Sequence, residues 1–335
     1  MLRLILFCLL APAALLSMTA AHATTFKIAS IAPEGTSWMQ EMRKGAEEIH
    51  KRTDGRVNFR FFPGGVMGND KSVLRKIRIG QLQGGAVTAG GLMDIAPNTQ
   101  IYTLPLLFRS LDEVDYVRKR MDPILKQNLL KQGYVSFGFS EGGFAYLMSD
   151  KPLRTTEDLK GEKVWAPEGD RISRAAFESM NISPVPLPLS DVLTGLQTGL
   201  INTVATSFTG AIALQWHTQV KYITDMPLMY IYGTMIIDKN AFARLSEQDQ
   251  KIVDDVMSGV FHKLNRESRT NNEEARAALV KEGITFVEPS PGVRQTWETN
   301  IDHAMQQLAS EGVFSSEMLK KVHDYLDEYR SGKHD

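Results

Sequence analysis

The chain has 335 residues, 43% of them hydrophobic and 23% charged, with 38 Lys plus Arg against 39 Asp plus Glu. That length and balance make a globular protein with room for two lobes and exclude a mainly disordered chain. There is no excess positive charge to drive counterion release, so non-specific nucleic-acid binding is excluded as a principal role.

Arg3 precedes an apolar run over residues 4–16, and a short polar stretch then ends in Ala21-His22-Ala23. This order predicts a secretory signal peptide over residues 1–23, cleaved after Ala23, and a periplasmic mature protein of about 312 residues. The apolar run of 13 residues is too short for a hydrocarbon core ~30 Å thick. Cys8, the single cysteine, falls inside the signal, so the mature chain is expected to carry neither a disulfide nor a lipid-bearing cysteine.

Residues 25–30 alternate apolar and polar and predict a strand; Thr36 or Ser37 then caps a helix with Trp38, Met42, Ala46 and Ile49 on one stripe. A strand over 57–62, a helix opened by Asp70 and closed by Gly80, and a short strand over 85–88 follow. Ser110 and Glu113 form a capping box for a helix that runs to Gly133. Residues 135–139 and 144–148 read as paired strands around Gly142-Gly143. A second β-α-β-α-β unit comprises a strand over 163–166, a helix capped by Asp170, a helix capped by Ser190 and a strand over 203–207. The Gly80 and Gly199 helix ends, each followed closely by a strand, form a weak internal repeat and imply two similar lobes. Residues 229–237 predict a strong strand, 246–283 one long helix able to brace both lobes, 285–287 a strand, and 295–309 and 315–329 two last helices.

Signatures of catalysis and metal binding fail. No phosphate-loop, dinucleotide, G-x-S-x-G or H-E-x-x-H spacing occurs, and the histidines show no helical ligand pairing. Neighbouring acids such as Glu47-Glu48 and Asp254-Asp255 point in different directions on a helix and read as solvated surface. No enzyme activity, cofactor or metal is expected.

Five segments occur in order: Phe62-Pro63-Gly64-Gly65-Val66-Met67-Gly68, Pro105-Leu106-Leu107-Phe108, the run from Thr155 through Leu159-Lys160-Gly161 to Val164, Pro184-Val185-Pro186-Leu187-Pro188, and Leu196-Gln197-Thr198-Gly199. With Val220-Lys221-Tyr222 and the helix start near 245–253, this layout resembles the solute receptors of tripartite ATP-independent periplasmic (TRAP) transporters. The resemblance covers nearly the whole mature chain. It implies an α/β, two-lobed periplasmic binding protein-like fold with hinge strands and a long bracing helix, closing on one small solute. Lobe 1 is expected over 24–142 and 231–270, lobe 2 over 143–230 and 271–325, and a tail over 326–335. The partners implied are the solute and the TRAP integral membrane subunits; a monomer is expected.

The sequence departs from the family at two positions. Where the family's strand after Leu-Lys-Gly usually ends in a carboxylate-gripping arginine, this chain has Trp165, whose indole offers one N–H and a broad apolar face. Where the family often has asparagine after a second-lobe strand, this chain has Thr206. Trp165 either stacks on a ligand or fills the core. Arg171, in the first turn of a helix, either substitutes as an anion anchor or is solvated. Phe144 and Tyr146 sit near the hinge, while Thr88, Gly90 and Gly91 allow close backbone approach; each is a wall candidate or plain packing. Phe208, Gln215, Trp216, Tyr230 and Tyr232 are expected on the second wall, and Trp38 and Met67 on the first. Glu34 and Glu168 are either surface acids or, beside aromatic faces, holders of an amine.

The solute is therefore an aromatic or amphipathic organic acid held by Arg171 and Trp165, or a neutral or cationic molecule held by aromatic faces. A periplasmic ligand sensor of the same fold is the alternative receptor class, and an exported hydrolase or isomerase is disfavoured.

Overall fold

The computed structural model describes residues 23–332; the expected signal peptide before Ala23 and the last three residues of the expected tail lie outside these. In the first lobe, β1 (Thr24–Ser30), α1 (Ser37–Arg52), β2 (Val57–Phe62), α2 (Asp70–Arg78) and β3 (Gly84–Thr88) follow the predicted β-α-β-α-β order. Thr36 accepts from Met39 N and Asn69 from Ser72 N, so both helices start on side-chain caps. Two 3-10 turns, Gly90–Leu92 and Pro97–Thr103, lead to α3 (Leu111–Lys131). Ser110 caps α3 through Glu113 N, but the Glu113 carboxylate reaches back to Arg109 N rather than to the cap's own N–H.

The predicted pair of strands around Gly142-Gly143 is instead one continuous strand, β4 (Tyr134–Ser149). Glycines that suggested a turn form a bulge: the register against the neighbouring strand shifts between Glu141 and Gly143. Beyond β4 come β5 (Trp165–Pro167), α4 (Arg171–Ser179), β6 (Val185–Leu187), α5 (Val192–Gln197), β7 (Thr203–Thr206), α6 (Phe208–Ala213) and β8 (Tyr222–Thr224). Asp170 caps α4 as expected, taking Ile172 N and Ser173 N, whereas Ser190 caps nothing: a 3-10 turn over Leu189–Asp191 runs straight into α5. The chain returns through β9 (Met229–Asp238) and α7 (Lys239–Phe242) to α8 (Glu247–Lys281), and ends with β10 (Thr285–Val287), α9 (Val293–Ser310) and α10 (Ser316–Arg330).

The first-lobe sheet has the order β2-β1-β3-β9-β4, parallel from β2 to β3 and antiparallel across β9. The end of β4 then joins a second sheet, pairing antiparallel with β7 and β8, while β8 pairs parallel with β10. β4 and β9 thus cross between the lobes as one antiparallel ladder. α8, 35 residues and about 52 Å long at 1.5 Å per residue, spans both lobes. Its Val253, Met257, Val260, Phe261 and Leu264 pack into the first-lobe core with α1, and its Ala275 and Leu279 into the second with Trp216 and Ile223. α10, whose residues 316–325 are expected in lobe 2, packs on α9 and also on α3 and the Pro97–Thr103 turn of the first lobe, and Arg330 forks onto Glu113 at 2.8 and 2.9 Å. Sequence patterning shows an amphipathic helix there but not which lobe its apolar stripe meets.

A buried polar network holds the crossing. Arg118 of α3 donates to Tyr230 Oη at 2.8 Å and Phe139 O at 2.7 Å and pairs with Asp122, which also accepts from Tyr102. Glu141 is held by Arg269 of α8 at 3.1 Å through both oxygens, and Asn265 accepts from Glu141 N and donates to Phe139 O on the first-lobe side of the bulge. Removing the cation leaves several buried groups unmatched at once, so Arg118→Met is expected to cost about 3–5 kcal/mol. Equilibrium urea unfolding reads this directly; a loss below about 1 kcal/mol would show that the network contributes little.

Candidate functional site

The strand register locates a place where both lobes present the same kind of surface. Thr88, the last residue of β3, stands opposite Gly233, and Gly233 opposite Ser140. Because β9 continues from there toward Met229 and the second lobe, β3 ends facing that lobe, as do β1 and β2 parallel to it. In the second lobe Thr206, the last residue of β7, stands opposite Tyr146, and β5 and β6 run parallel to β7. Their carboxyl ends face back toward the first lobe. The interval along β4 from Ser140 to Tyr146 is six residues, about 20 Å at 3.3 Å each. α1, α2, α4 and α6 all start at these strand ends, each on a capping side chain. Carboxyl ends of strands together with helix starts are the surface on which open α/β sheets bind small molecules.

On the first wall, Thr88 donates its hydroxyl to Asp70 Oδ2 at 2.6 Å and its N–H to the same oxygen at 3.2 Å. Asp70 Oδ1 is buried and has no hydrogen-bond partner, and no cation lies within ion-pair distance of the carboxylate among the described residues. Gly91 presses on this group: a Cβ there would stand 2.5 Å from Asp70 Oδ2, which bars any larger residue unless Asp70 moves. Burial pushes the Asp70 carboxyl above its ordinary range, against the two Thr88 bonds. Sequence reasoning had Asp70 only as a helix opener, since nothing in the pattern shows that one oxygen is left over. Gly90 lies in the same turn, Met67 is half-buried against the core with its carbonyl held by Lys76 at 2.9 Å, and Trp38 is half-buried against the other first-lobe core. Glu34 is exposed and already forked onto Arg43 at 2.8 and 2.6 Å, which holds its carboxyl below the usual range.

On the second wall, Trp165 is buried in the lobe core, edge-on to Trp216 with ring centroids 5.2 Å apart. Its one donor is committed to Leu187 O at 3.0 Å, an oxygen that also accepts from Glu168 N at 3.1 Å. Tyr146 stacks on Phe208 at 4.3 Å, beside the buried Thr206. Phe144 is half-buried with its ring edge to Tyr230 at 6.0 Å. Glu168 is exposed, and Arg171, side chain 54% exposed, donates to Glu311 at 2.9 Å. Gln215 lies past the far end of α6 in a left-handed conformation, about 9 Å of helix rise from the strand ends. Tyr230 and Tyr232 are interior, their hydroxyls taken by the Arg118 network and by Thr99 O, and Trp216 is buried as well.

A cavity of about 480 Å³ lies elsewhere, between residues 104–107, α9 and α10, where Arg109, Asp302 and His323 line it. None of the wall residues reaches it. The strand ends of both sheets and four capped helix starts meet at the walls instead, which makes those the better candidate.

Residues 28–311 match the family of bacterial extracellular solute-binding proteins, family 7, also called DctP. The chain belongs to that family. DctP proteins are TRAP solute receptors and not enzymes. A solute-binding protein of Roseobacter denitrificans is 25% identical over 279 residues, covering 82% of this chain and 85% of its own. Among solved structures, the sugar acid binding protein of Advenella mimigardefordensis in complex with galactonate superposes with a TM-score of 0.85 at 17% identity, covering 92% of this chain and 99% of that one. A Bordetella pertussis extracytoplasmic solute receptor binding pyroglutamic acid gives 0.83 at 22% identity, covering 91% and 100%. The two-lobed α/β expectation is met; among the described residues no helix is long and apolar enough to cross a membrane.

The raised Asp70 carboxyl means the native state holds its proton more tightly than the unfolded chain, so native stability falls as pH rises from the unfolded value near 3.8 through the higher folded value. Asp70→Asn removes that decline, and urea midpoints of variant and parent should diverge in the variant's favour between pH 4 and pH 7; parallel midpoints would contradict the burial effect. Trp165→Phe keeps most of the ring but leaves Leu187 O one donor short, an expected loss of ~1–2 kcal/mol by the same assay. No measurable loss would mean the indole N–H is not engaged in solution.

Proposed function

We propose that this chain is a periplasmic receptor that closes its lobes on one small organic acid and hands it, unaltered, to the membrane subunits of a TRAP transporter. The observation that carries this reading is the strand register, which turns the carboxyl ends of both lobes toward each other across a two-strand hinge. A ligand that touches both walls gains contacts only when they approach, which is what shifts an open-closed equilibrium. The ligand class is supported by the galactonate and pyroglutamic acid complexes of the two similar receptors. Periplasmic location is supported by the family and by the signal-like order of residues 1–23.

Without the family's usual arginine, the solute carboxylate goes to Arg171, whose guanidinium has five N–H groups, only one of them in a hydrogen bond to Glu311. Trp165 and Thr206 shape that wall, with Phe144, Tyr146 and Phe208 toward the hinge. Thr88, Gly90, Met67 and Trp38 form the opposite wall, with Glu34 and Glu168 at the rims. Asp70 Oδ1 gives the first wall a buried acceptor without a partner. It favours a solute with a hydroxyl or amide donor beside its single carboxylate and disfavours a second carboxylate.

A thermal-shift screen of galactonate, pyroglutamate, an aromatic monocarboxylate and succinate tests this. A binder at 100 times its Kd stabilises by roughly 2.7 kcal/mol. Galactonate- or pyroglutamate-like acids are expected to raise Tm and succinate is not; Arg171→Ala should weaken the hit at least about tenfold, or ~1.4 kcal/mol. Unchanged Tm with every organic acid would overturn the reading, and full affinity in Arg171→Ala would remove the anchor.

A further inference from the structure

Asn272 lies within α8, where asparagine is a poor helix former because its side chain competes for backbone groups. Both ends of its amide are engaged. The nitrogen donates to Ser268 O one turn back at 2.9 Å and to Gly142 O in the β4 bulge at 3.3 Å. The oxygen accepts from Thr209 N at 3.3 Å and Thr209 Oγ1 at 3.2 Å, in the first turn of α6. One side chain therefore joins the strand that crosses between the lobes to the helix that continues from the second wall. Asn265 and Arg269 of the same helix hold Phe139 and Glu141, on the first-lobe side of the bulge. Of these three residues only Asn272 reaches into α6. Gly143, next to the gripped carbonyl, has φ of +86°, and a Cβ there would stand 2.8 Å from Asn272 Nδ2. The bulge is open on the side where the amide sits.

We propose that Asn272 is a positioning residue for solute capture: it makes the β4 bulge and the start of α6 move as one unit, so that lobe closure and the shape of the second wall change together. This rests on the receptor reading above, yet its test needs no ligand. Losing the amide frees each of the two elements to sample its own positions.

No residue from 9 to 335 is cysteine, so Glu47→Cys on α1 and Gln197→Cys on α5, both exposed, accept spin labels for interlobe distances by pulsed electron resonance in the ligand-free protein. Asn272→Asp keeps an acceptor for Thr209 but sets a carboxylate against Gly142 O; Asn272→Ala removes both contacts. Each is expected to broaden the distance distribution or move its maximum by several ångströms, while Asn272→Asp melts within a few degrees of the parent. A merely structural role would lower Tm and leave the distances alone. Gly143→Ala crowds the same contact from the strand side and also strains a backbone at φ of +86°; the strain is common to both backgrounds, so the contact's share is the part of its effect on the distances that is lost in the Asn272→Ala background. Superimposable distributions in Asn272→Asp and Gly143→Ala overturn the proposal, and so does an equal Gly143→Ala effect in both backgrounds. Should Asn272→Ala fail to fold, the other two variants decide. Failure to find any binding acid would count against the proposed function and not against this coupling.

Discussion

The two-strand ladder of β4 and β9 is the constraint on which the rest of the molecule depends. Among the described residues β4 pairs in both sheets, and its antiparallel registers with β9 and with β7 decide which ends of the other strands face each other. A ladder of backbone hydrogen bonds resists stretching but bends readily where pairing is interrupted. The interruption at Glu141–Gly143 therefore falls where bending is useful, between the level of Thr88 and the level of Thr206. Around it the protein concentrates its most expensive buried chemistry: Arg118, Asp122, Tyr102, Tyr230, Glu141 and Arg269. Burial raises the Tyr230 and Tyr232 phenols far beyond the neutral range, so both stay uncharged hydrogen-bonding partners. Charges buried in this way add little net stability over an apolar core, but breaking one partner is severe, which suits a joint that must keep one geometry.

The walls follow a different logic. At the strand ends, helix caps satisfy the backbone, and the remaining polar groups are few. Asp170 has both oxygens matched, by Ser173 and by two N–H groups, while Asp70, in the same kind of place on the other lobe, has one oxygen unmatched. An uncompensated buried carboxyl is a standing cost to the empty protein. Functional surfaces retain such costs because a ligand can offset them.

Trp165 shows how one residue serves two demands. Its indole lies in the lobe core, where Trp216 meets its edge and Leu187 O takes its N–H, while its strand ends at the proposed second wall. Arg171 is on the surface and shared with Glu311, and an ion pair so exposed is weak and salt-sensitive.

Local patterning in the sequence determined most of the elements. Alternation named β1, β2 and β9, the caps at Thr36, Ser110 and Asp170 marked helix starts, and the stripe after Ser246 foretold α8 as a brace. Those signals are legible because periodicity and capping act within a few residues. The ordered segments from Phe62 to Gly199 were enough to indicate the family. Only the tertiary structure decided the rest. Gly142-Gly143 permits a turn or a bulge, and β9, arriving some 90 residues later, selects the bulge. The amphipathic stripe of α10 fits either lobe until α3 is there to receive it. The orphan oxygen of Asp70, the core position of Trp165 and the double grip of Asn272 depend on partners far apart in the chain, and no local pattern encodes a distance between them.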